Sequence, residues 1–240
     1  MNRTTFAKAG CLALTALLLT LLPACSALLP KPAAQPAFFA LDGAPAVGLS
    51  ALPALPALPV TRAATIGAAA APTLVVNPPQ ASAGFDSQRI IYVRKAHQLE
   101  YFAHSEWVDT PARMLAPLIV AAVDKSGAFR AVVSTPSAAA GDLRLDTEIV
   151  RLQHEFGSTP SRVRLTLRAT LTDNATRQVL ARIDFDSVAD AASEDAYGGV
   201  VAANHATRVV LQSLAVFCSE AARQWQPRNR GVAAGAVGRV

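Results

Sequence analysis

Three successive segments between residues 143 and 185 constrain the fold of this chain more than any other part of it. Each segment alternates apolar and polar side chains with a period of two, which is the pattern of a strand with one buried and one solvated face. The positions expected on the apolar face are Leu143, Leu145, Thr147 and Ile149, then Val163, Leu165, Leu167, Ala169 and Leu171, and finally Val179, Ala181, Ile183 and Phe185. Turn-forming residues at 157–160 and 173–176 separate the segments. The pattern predicts an antiparallel meander whose apolar face is covered by another layer.

The first helix that can cover this face is predicted just before the meander. Asp109 or Thr110 can cap it, and Pro111 suits the first helical position. Apolar residues then recur at helical spacing up to Gly127, which ends the helix. Pro117 interrupts this pattern and predicts a kink or a late start.

The second helix is predicted from just after Asp195 to about Gln224, with an apolar stripe along one side. Shorter strand signals precede the meander at residues 38–42, 74–76, 90–93, 99–102 and 129–133, and residues 105–108 are expected to lead into the first helix. The predicted fold is therefore a mixed α+β single domain. It has a mixed sheet of about six strands, an antiparallel meander and two main helices packed on one face.

The N-terminal segment has the character of a signal peptide. Arg3 and Lys8 precede an apolar run from Gly10 to Leu22. This run of about 13 residues fits a signal-peptide core and is shorter than the roughly 20 residues needed to span a bilayer. We predict that residues 1–24 are removed from the mature protein.

Leu22-Pro23-Ala24-Cys25 closes this segment and looks like the lipobox of bacterial lipoproteins. We predict cleavage after Ala24 and lipid attachment at Cys25, because a thiol can be alkylated by a diacylglyceryl group. More than one acyl chain is needed for stable anchoring. The alternative is an ordinary secretory signal that happens to precede a cysteine. Ser26 follows, where Asp would resemble an inner-membrane retention signal, so an outer-membrane anchor facing the periplasm is predicted.

The predicted domain organisation follows from changes in composition. After the signal peptide, residues 25–37 form a tether, residues 38–226 the folded domain, and residues 227–240 a disordered tail. The domain contains an Ala/Pro-rich insert at 43–72, in which Leu-Pro-Ala repeats from Leu52 to Pro59. Proline at every third position is typical of an extended polyproline-like spacer. The alternative is that the leucines bind a groove on a partner.

Charge and cysteine content exclude several classes of protein. Loss of Arg3 and Lys8 lowers the net charge of +5 to about +3, and the remaining basic residues are spread out rather than clustered, which argues against a nucleic-acid partner. Three cysteines occur, and loss of Cys11 and acylation of Cys25 would leave Cys218 alone. No disulfide framework is therefore predicted, and the fold depends on its core.

The candidate site residues give no catalytic or metal signature, and neither a cofactor nor a metal is predicted. The histidines His97, His104, His154 and His205 lack metal-ligand spacing and are expected to be solvated or at edges. Glu148 and Glu155 would face opposite sides of a regular strand, which argues against a carboxylate pair.

Cys218 and Trp107 are both expected to be buried. Cys218 falls on the apolar stripe of the second helix, so we expect a buried thiol rather than a nucleophile. Trp107 is expected in the core, with a partner contact as the alternative.

Taken in order, several weak motifs resemble the ABC-type transport auxiliary lipoproteins, the envelope partners of mammalian-cell-entry (MCE) lipid transporters. They are the lipobox, residues 38–41, 74–79, 85–92 and 99–101, Trp107, and Ala202-Ala203-Asn204 with Ala206. The resemblance covers about residues 35 to 225, apart from the Leu-Pro-Ala repeat, which departs from the usual short spacing.

The resemblance implies a non-enzymatic periplasmic protein that works with an MCE-family substrate-binding protein, an ABC permease and an ATPase in phospholipid trafficking and outer-membrane integrity. This chain carries no P-loop, so ATP hydrolysis would belong to a partner. A homo-oligomer is compatible with this prediction, and so is phospholipid as a ligand. The two alternatives are a periplasmic lipid carrier with its own apolar pocket and a structural envelope lipoprotein without a transport role.

Overall fold

The computed structural model describes residues 35–43 and 71–225, and within them it contains one nine-stranded sheet and two helices. The strands are β1 (Ala37–Phe39), β2 (Thr73–Val76), β3 (Gln80–Ala81), β4 (Arg89–Val93), β5 (Glu100–Trp107), β6 (Ala131–Ser134), β7 (Leu143–Glu155), β8 (Arg162–Asp173) and β9 (Val179–Asp190). The helices are α1 (Pro111–Lys125) and α2 (Ala196–Gln224). All of these elements belong to one compact unit.

The sheet is built around β7. Along one edge β7 pairs antiparallel with β8 over its whole length, and β9 pairs antiparallel with β8. Along the other edge β7 pairs in turn with β2, β3 and β4, all parallel. β6 extends the sheet beyond β2, while β5 and then β1 extend it beyond β4. The predicted α+β class and the antiparallel meander are confirmed. The sheet has nine strands rather than about six, because very short strands such as β1 and β3 also join it.

Both helices cover the apolar face of the sheet, as predicted. α2 packs on β8 and β9, α1 packs beside β6, and the two helices contact each other. The alternating residues of β7 and β8 meet them in the core, where Leu145, Leu165, Leu167 and Leu214 have no exposed surface. Burying a leucine of this kind stabilises the fold by about 1.5–3 kcal/mol relative to leaving it exposed.

The start of α1 differs in detail from the prediction. β5 continues through Trp107 instead of ending near residue 102, so Trp107 ends a strand and is buried in the core, as expected for its side chain. The helix begins at Pro111 as predicted, after Thr110, whose side chain makes no capping hydrogen bond. Pro117 lies inside the helix, so the late start is wrong. Gly127 follows the helix with φ +69°, a conformation that glycine adopts without strain.

An irregularity in β7 overturns the argument made for Glu148 and Glu155. The register of β7 against β8 shifts between Ile149 and Arg151, which is a β-bulge. The extra residue reverses the phase of the strand, so Leu152 and His154 face the core while Glu148 and Glu155 share the solvated face. They still do not form a pair, because Glu148 binds Arg168 and Glu155 binds Arg164.

Candidate functional site

A groove of about 700 Å³ runs between the two helices on their outer side. Its walls are mostly aliphatic, with Leu118, Ala121 and Ala122 from α1 and Leu211, Ala215 and Val216 from α2. Val216 is 57% exposed there. The volume is in the range of small-molecule sites, and its apolar walls suit an aliphatic ligand or peptide.

Asn204 fixes one end of this groove. Its side-chain Oδ1 accepts hydrogen bonds from the backbone N–H groups of Asp42 (2.9 Å) and Gly43 (2.8 Å), and its Nδ2 donates to the carbonyl oxygen of Ala40 (3.1 Å). The same amide donates to Val200 one turn earlier in α2. A single buried side chain therefore holds residues 40–43, which follow β1, against α2. Sequence reasoning recognised Asn204 only as part of a family motif; a polar residue within a buried helical stripe is the signal for this role.

Three basic side chains lie around the groove. Lys125 belongs to α1, and Arg208 and Arg223 belong to α2. The Arg208 guanidinium lies 3.5 Å from the carbonyl oxygen of Gly43 and 3.1 Å from Nδ1 of His205. Asp42 also lines the groove, so its rim carries both signs of charge.

β9 is the free edge of the meander. It is hydrogen-bonded to β8 and to no other strand in the ranges that the structure describes. Four of its apolar side chains are exposed: Val179, Leu180, Ile183 and Val188. The expectation that Val179 and Ile183 are covered is therefore wrong: Ile183 lies at the margin of the sheet, and a register shift places Val179 opposite Thr172. An exposed edge of this kind can pair with a strand from another chain.

The solvated face of the meander is organised by two arginines of β8. Arg168 binds Asp184 through Nε (2.9 Å) and Nη2 (2.9 Å), and Glu148 through Nη1 (3.3 Å). Arg164 bridges Asp186 (2.6 Å) and Glu155 (3.2 Å) in the same way. The hydrogen bonds from Arg168 hold the pKa of Asp184 below its ordinary value, and the same contacts raise the pKa of Arg168. These charges join β7, β8 and β9 across the sheet and are not arranged for proton transfer.

His154 contradicts the expectation that the histidines are solvated or at edges. Its side chain is 2% exposed, on the core side of β7, and its Nε2 lies 2.7 Å from Oγ of Ser161. Glu194 accepts a hydrogen bond from the Ser161 backbone N–H, and Gly199 of α2 lies against the imidazole. Burial lowers the pKa of His154, and the negative charges of Glu194 and Asp195 oppose this shift.

The His154–Ser161 pair is not arranged as a nucleophile and base. Ser161 has no exposed surface, and the adjacent cavity measures only about 10 Å³. A cavity of that size holds at most one water molecule. The aromatic rings of Phe102 and Phe156 close the other side of the imidazole. The pair therefore belongs to the core.

The other three histidines and Cys218 lie where the sequence predicts. His97, His104 and His205 are exposed. Cys218 is fully buried, and burial raises the pKa of its thiol to about 12, so it is not a nucleophile at neutral pH. Within residues 35–43 and 71–225, no group of His, Cys, Asp and Glu side chains is placed to hold a metal ion.

The predicted anchor and its neighbours lie outside the described residues. This holds for the signal peptide, the cleavage site at Ala24, lipid attachment at Cys25, the greater part of the tether, the Leu-Pro-Ala repeat and the tail at 227–240. These remain predictions from sequence.

α2 is the helix, among the described residues, that is long and apolar enough to cross a membrane by length and composition. Its apolar stripe instead covers the sheet, where Val210, Leu214 and Cys218 are buried. A core helix of a water-soluble fold has the same composition, so this property gives no membrane assignment.

Comparison with known proteins agrees with this architecture. The family model described as ABC-type transport auxiliary lipoprotein component matches residues 54–215. A crystal structure of a protein from Xanthomonas campestris is 23% identical with a TM-score of 0.59, covering 64% of this chain and 87% of that chain. A crystal structure of an uncharacterized protein is 12% identical with a TM-score of 0.52, covering 61% and 91%. These two likenesses show a shared fold. No curated protein matches the sequence significantly.

Proposed function

Because the chain belongs to the family of ABC-type transport auxiliary lipoproteins, we propose that it is the outer-membrane-anchored, periplasmic component of an MCE-type ABC transporter. In this role it binds an MCE-family substrate-binding protein, which works with an ABC permease and an ATPase. The system moves phospholipid between the membranes and keeps the outer membrane intact. The chain acts by binding and not by catalysis.

The observation that carries this proposal is the open edge of β9. An edge strand of 12 residues with exposed apolar side chains offers both backbone hydrogen bonds and apolar contacts to a partner. The enclosed His154–Ser161 pair and the buried Cys218 offer no comparable site for chemistry on a substrate. Docking through a strand edge fits an auxiliary component of a larger assembly.

The proposed membrane location is based on the sequence around Cys25. Acyl chains on this cysteine would anchor the domain through the tether at 25–37, and Ser26 favours the outer membrane over retention in the inner membrane. The domain would then face the periplasm, within reach of a transporter that spans the envelope.

A pull-down of the full-length tagged protein from envelopes tests the proposal, with the bound proteins and lipids identified by mass spectrometry. The expected result is recovery of an MCE protein, together with its permease or ATPase. Val188→Lys, which places a charge on the β9 edge, should reduce this recovery at least tenfold. Val209→Lys, at an exposed position of α2, is the matched control and should leave it unchanged.

Other outcomes point to other functions. The groove between α1 and α2 favours a lipid carrier as the second candidate, and this reading predicts bound phospholipid without transporter proteins. If neither transporter proteins nor phospholipid were recovered, the result would contradict both the transporter and the carrier function and would leave an anchored structural domain. Equal recovery with Val188→Lys and wild type would keep the transporter assignment and exclude the β9 edge as its docking surface.

A further inference from the structure

The Leu-Pro-Ala repeat and the groove between α1 and α2 are both unassigned by the function proposed above. The repeat belongs to residues 44–70, and the described chain ends on one side of them at Gly43 and resumes at Ala71. The positions of these two ends relative to the groove show whether the groove lies between them.

Gly43 lies at one end of the groove and is part of its wall. The N–H of Gly43 donates to Asn204, and its carbonyl oxygen is near the guanidinium of Arg208. A Cβ at this position would contact the side chains of Thr207 and Arg208. The chain therefore leaves the described fold beside the first half of α2.

Ala71 lies near the opposite end of α2. The Trp225 indole that follows α2 donates to Asp173 (3.3 Å), and the neighbouring Asn174 N–H donates to the carbonyl oxygen of Asp142 (2.9 Å). Asp142 in turn accepts from the N–H of Thr73 (2.8 Å), two residues after Ala71. Gly43 and Ala71 therefore lie toward opposite ends of α2, and the groove runs in the same direction.

The dimensions of the repeat and of the groove agree. The wall contributed by α2 extends from Arg208 to Arg223, which is about 22 Å at the helical rise of 1.5 Å per residue. Leu52 and Leu58 are about 19 Å apart in a polyproline II helix, which rises 3.1 Å per residue. The three-residue period also places Leu52, Leu55 and Leu58 on the same side of that helix.

The composition of the repeat also matches the apolar walls of the groove. The walls are aliphatic, and residues 44–70 carry a single charge, Arg62. Proline has no N–H, so a proline-rich segment brings few unpaired donors into an apolar groove. Gln212 is exposed on the α2 wall, and its amide N–H groups can donate to the carbonyl oxygens of such a segment.

We propose that residues 52–59 bind in the α1–α2 groove of their own chain as a polyproline II segment, with Leu52, Leu55 and Leu58 against its aliphatic walls. The occupant is thus built into the chain, and Val216 is covered by it. This inference does not depend on the transporter or on the β9 edge.

Thiol labelling of the full-length protein tests this inference. Val216→Cys is introduced into the wild-type chain and into a chain carrying Leu52→Ser, Leu55→Ser and Leu58→Ser, and the rate of maleimide labelling at position 216 is followed by peptide mass spectrometry. We expect labelling to be at least tenfold slower with the intact repeat. Val209→Cys, exposed on α2 but outside the groove, is the matched control and should label equally in both chains.

Two results would overturn the proposal. Equal, fast labelling of position 216 in both chains means that the groove is open. Equal, slow labelling means that something other than the repeat covers it, and mass spectrometry of bound lipid together with the oligomeric state then separates a lipid from a second copy. Labelling of buried Cys218 reports unfolding of the triple variant, in which case the single change Leu55→Ser replaces it and should still give a faster rate at position 216.

Discussion

At the scale of single residues, His154 carries the clearest link between burial and pH. In the folded protein its imidazole is enclosed by Ser161, Phe102, Phe156 and the backbone of Gly199. Burial lowers its pKa, so the folded state binds its proton less readily than the unfolded chain, in which the histidine has a pKa of about 6.5. The stabilising contribution is complete above that pH and is lost progressively as the pH falls through the lowered pKa of the folded state.

We therefore expect the free energy of unfolding to decrease between pH 7.5 and pH 5.5, as measured by urea denaturation. His154→Gln should remove most of this decrease, while His104→Gln, at an exposed position, should retain it. The carboxylates with lowered pKa values, such as Asp184 and Asp195, titrate below this window and do not obscure it. An equal pH dependence in wild type and His154→Gln would contradict the assignment.

At the scale of secondary-structure elements, Asn204 determines how the segment after β1 joins α2. Its amide makes hydrogen bonds to Ala40, Asp42 and Gly43 from a site that is 8% exposed. Asn204→Ala would leave these backbone groups without their partner, at a cost of about 2 kcal/mol or more, since each lost buried hydrogen bond costs roughly 1 kcal/mol. Denaturant unfolding measures the loss.

A second variant distinguishes the roles of the two ends of this amide. Asn204→Asp keeps the oxygen that accepts from Asp42 and Gly43, but its second carboxylate oxygen would face the carbonyl oxygens of Ala40 and Val200 at a buried site. It should therefore be destabilised at neutral pH at least as much as Asn204→Ala. Ser213→Ala, at an exposed site of the same helix, is the control and should change stability by less than about 0.5 kcal/mol. If Asn204→Ala behaved like this control, the hydrogen bonds seen here would not hold the segment in solution.

Some secondary-structure elements leave a pattern in the sequence from which they can be predicted, and others do not. The alternation in β7 and β8 and the helical spacing in α2 are set by burial, which the order of apolar residues records directly. In β9 the alternation predicts burial less well, because an edge strand is covered by a neighbour on one side only. The bulge in β7 adds one residue, and its only trace is that Leu152 and His154 change phase relative to Ile149. β3 has two residues, too few for any period. The parallel pairing of β2, β3 and β4 with β7 joins distant parts of the chain and leaves no local pattern.

The candidate surfaces were predictable to different degrees. Burial of Cys218 and Trp107 follows from their positions among apolar neighbours. The open edge of β9 depends on the order of strands in the sheet, and the groove depends on how α1 and α2 approach each other. Both are properties of the tertiary arrangement, and the residues that form them look in sequence like ordinary members of a strand and two helices.

At the scale of the whole molecule, three features define separate regions: the charged face of the meander, the free edge of β9 and the groove between the helices. Arg164 and Arg168 of β8 are engaged by carboxylates of β7 and β9, so these charges are paired within the sheet. The β9 edge and the groove are built from different elements. A partner on one and the Leu-Pro-Ala repeat in the other can therefore be bound at the same time.

The two fixed ends of the insert have an energetic consequence for the segment between them. Gly43 is held by Asn204 and Thr73 pairs in β2, so folding closes a loop of about 28 residues, from Gly43 to Ala71, that contains the repeat. The entropy of closing such a loop varies only with the logarithm of its length, and removing residues 52–59 would lower the closure cost by about 0.3 kcal/mol. A segment without contacts would thus leave stability slightly higher on deletion. If its leucines are buried in the groove, deletion should instead lower the free energy of unfolding by about 2 kcal/mol or more. The sign of that change, read from denaturation midpoints, separates a passive spacer from a part of the fold.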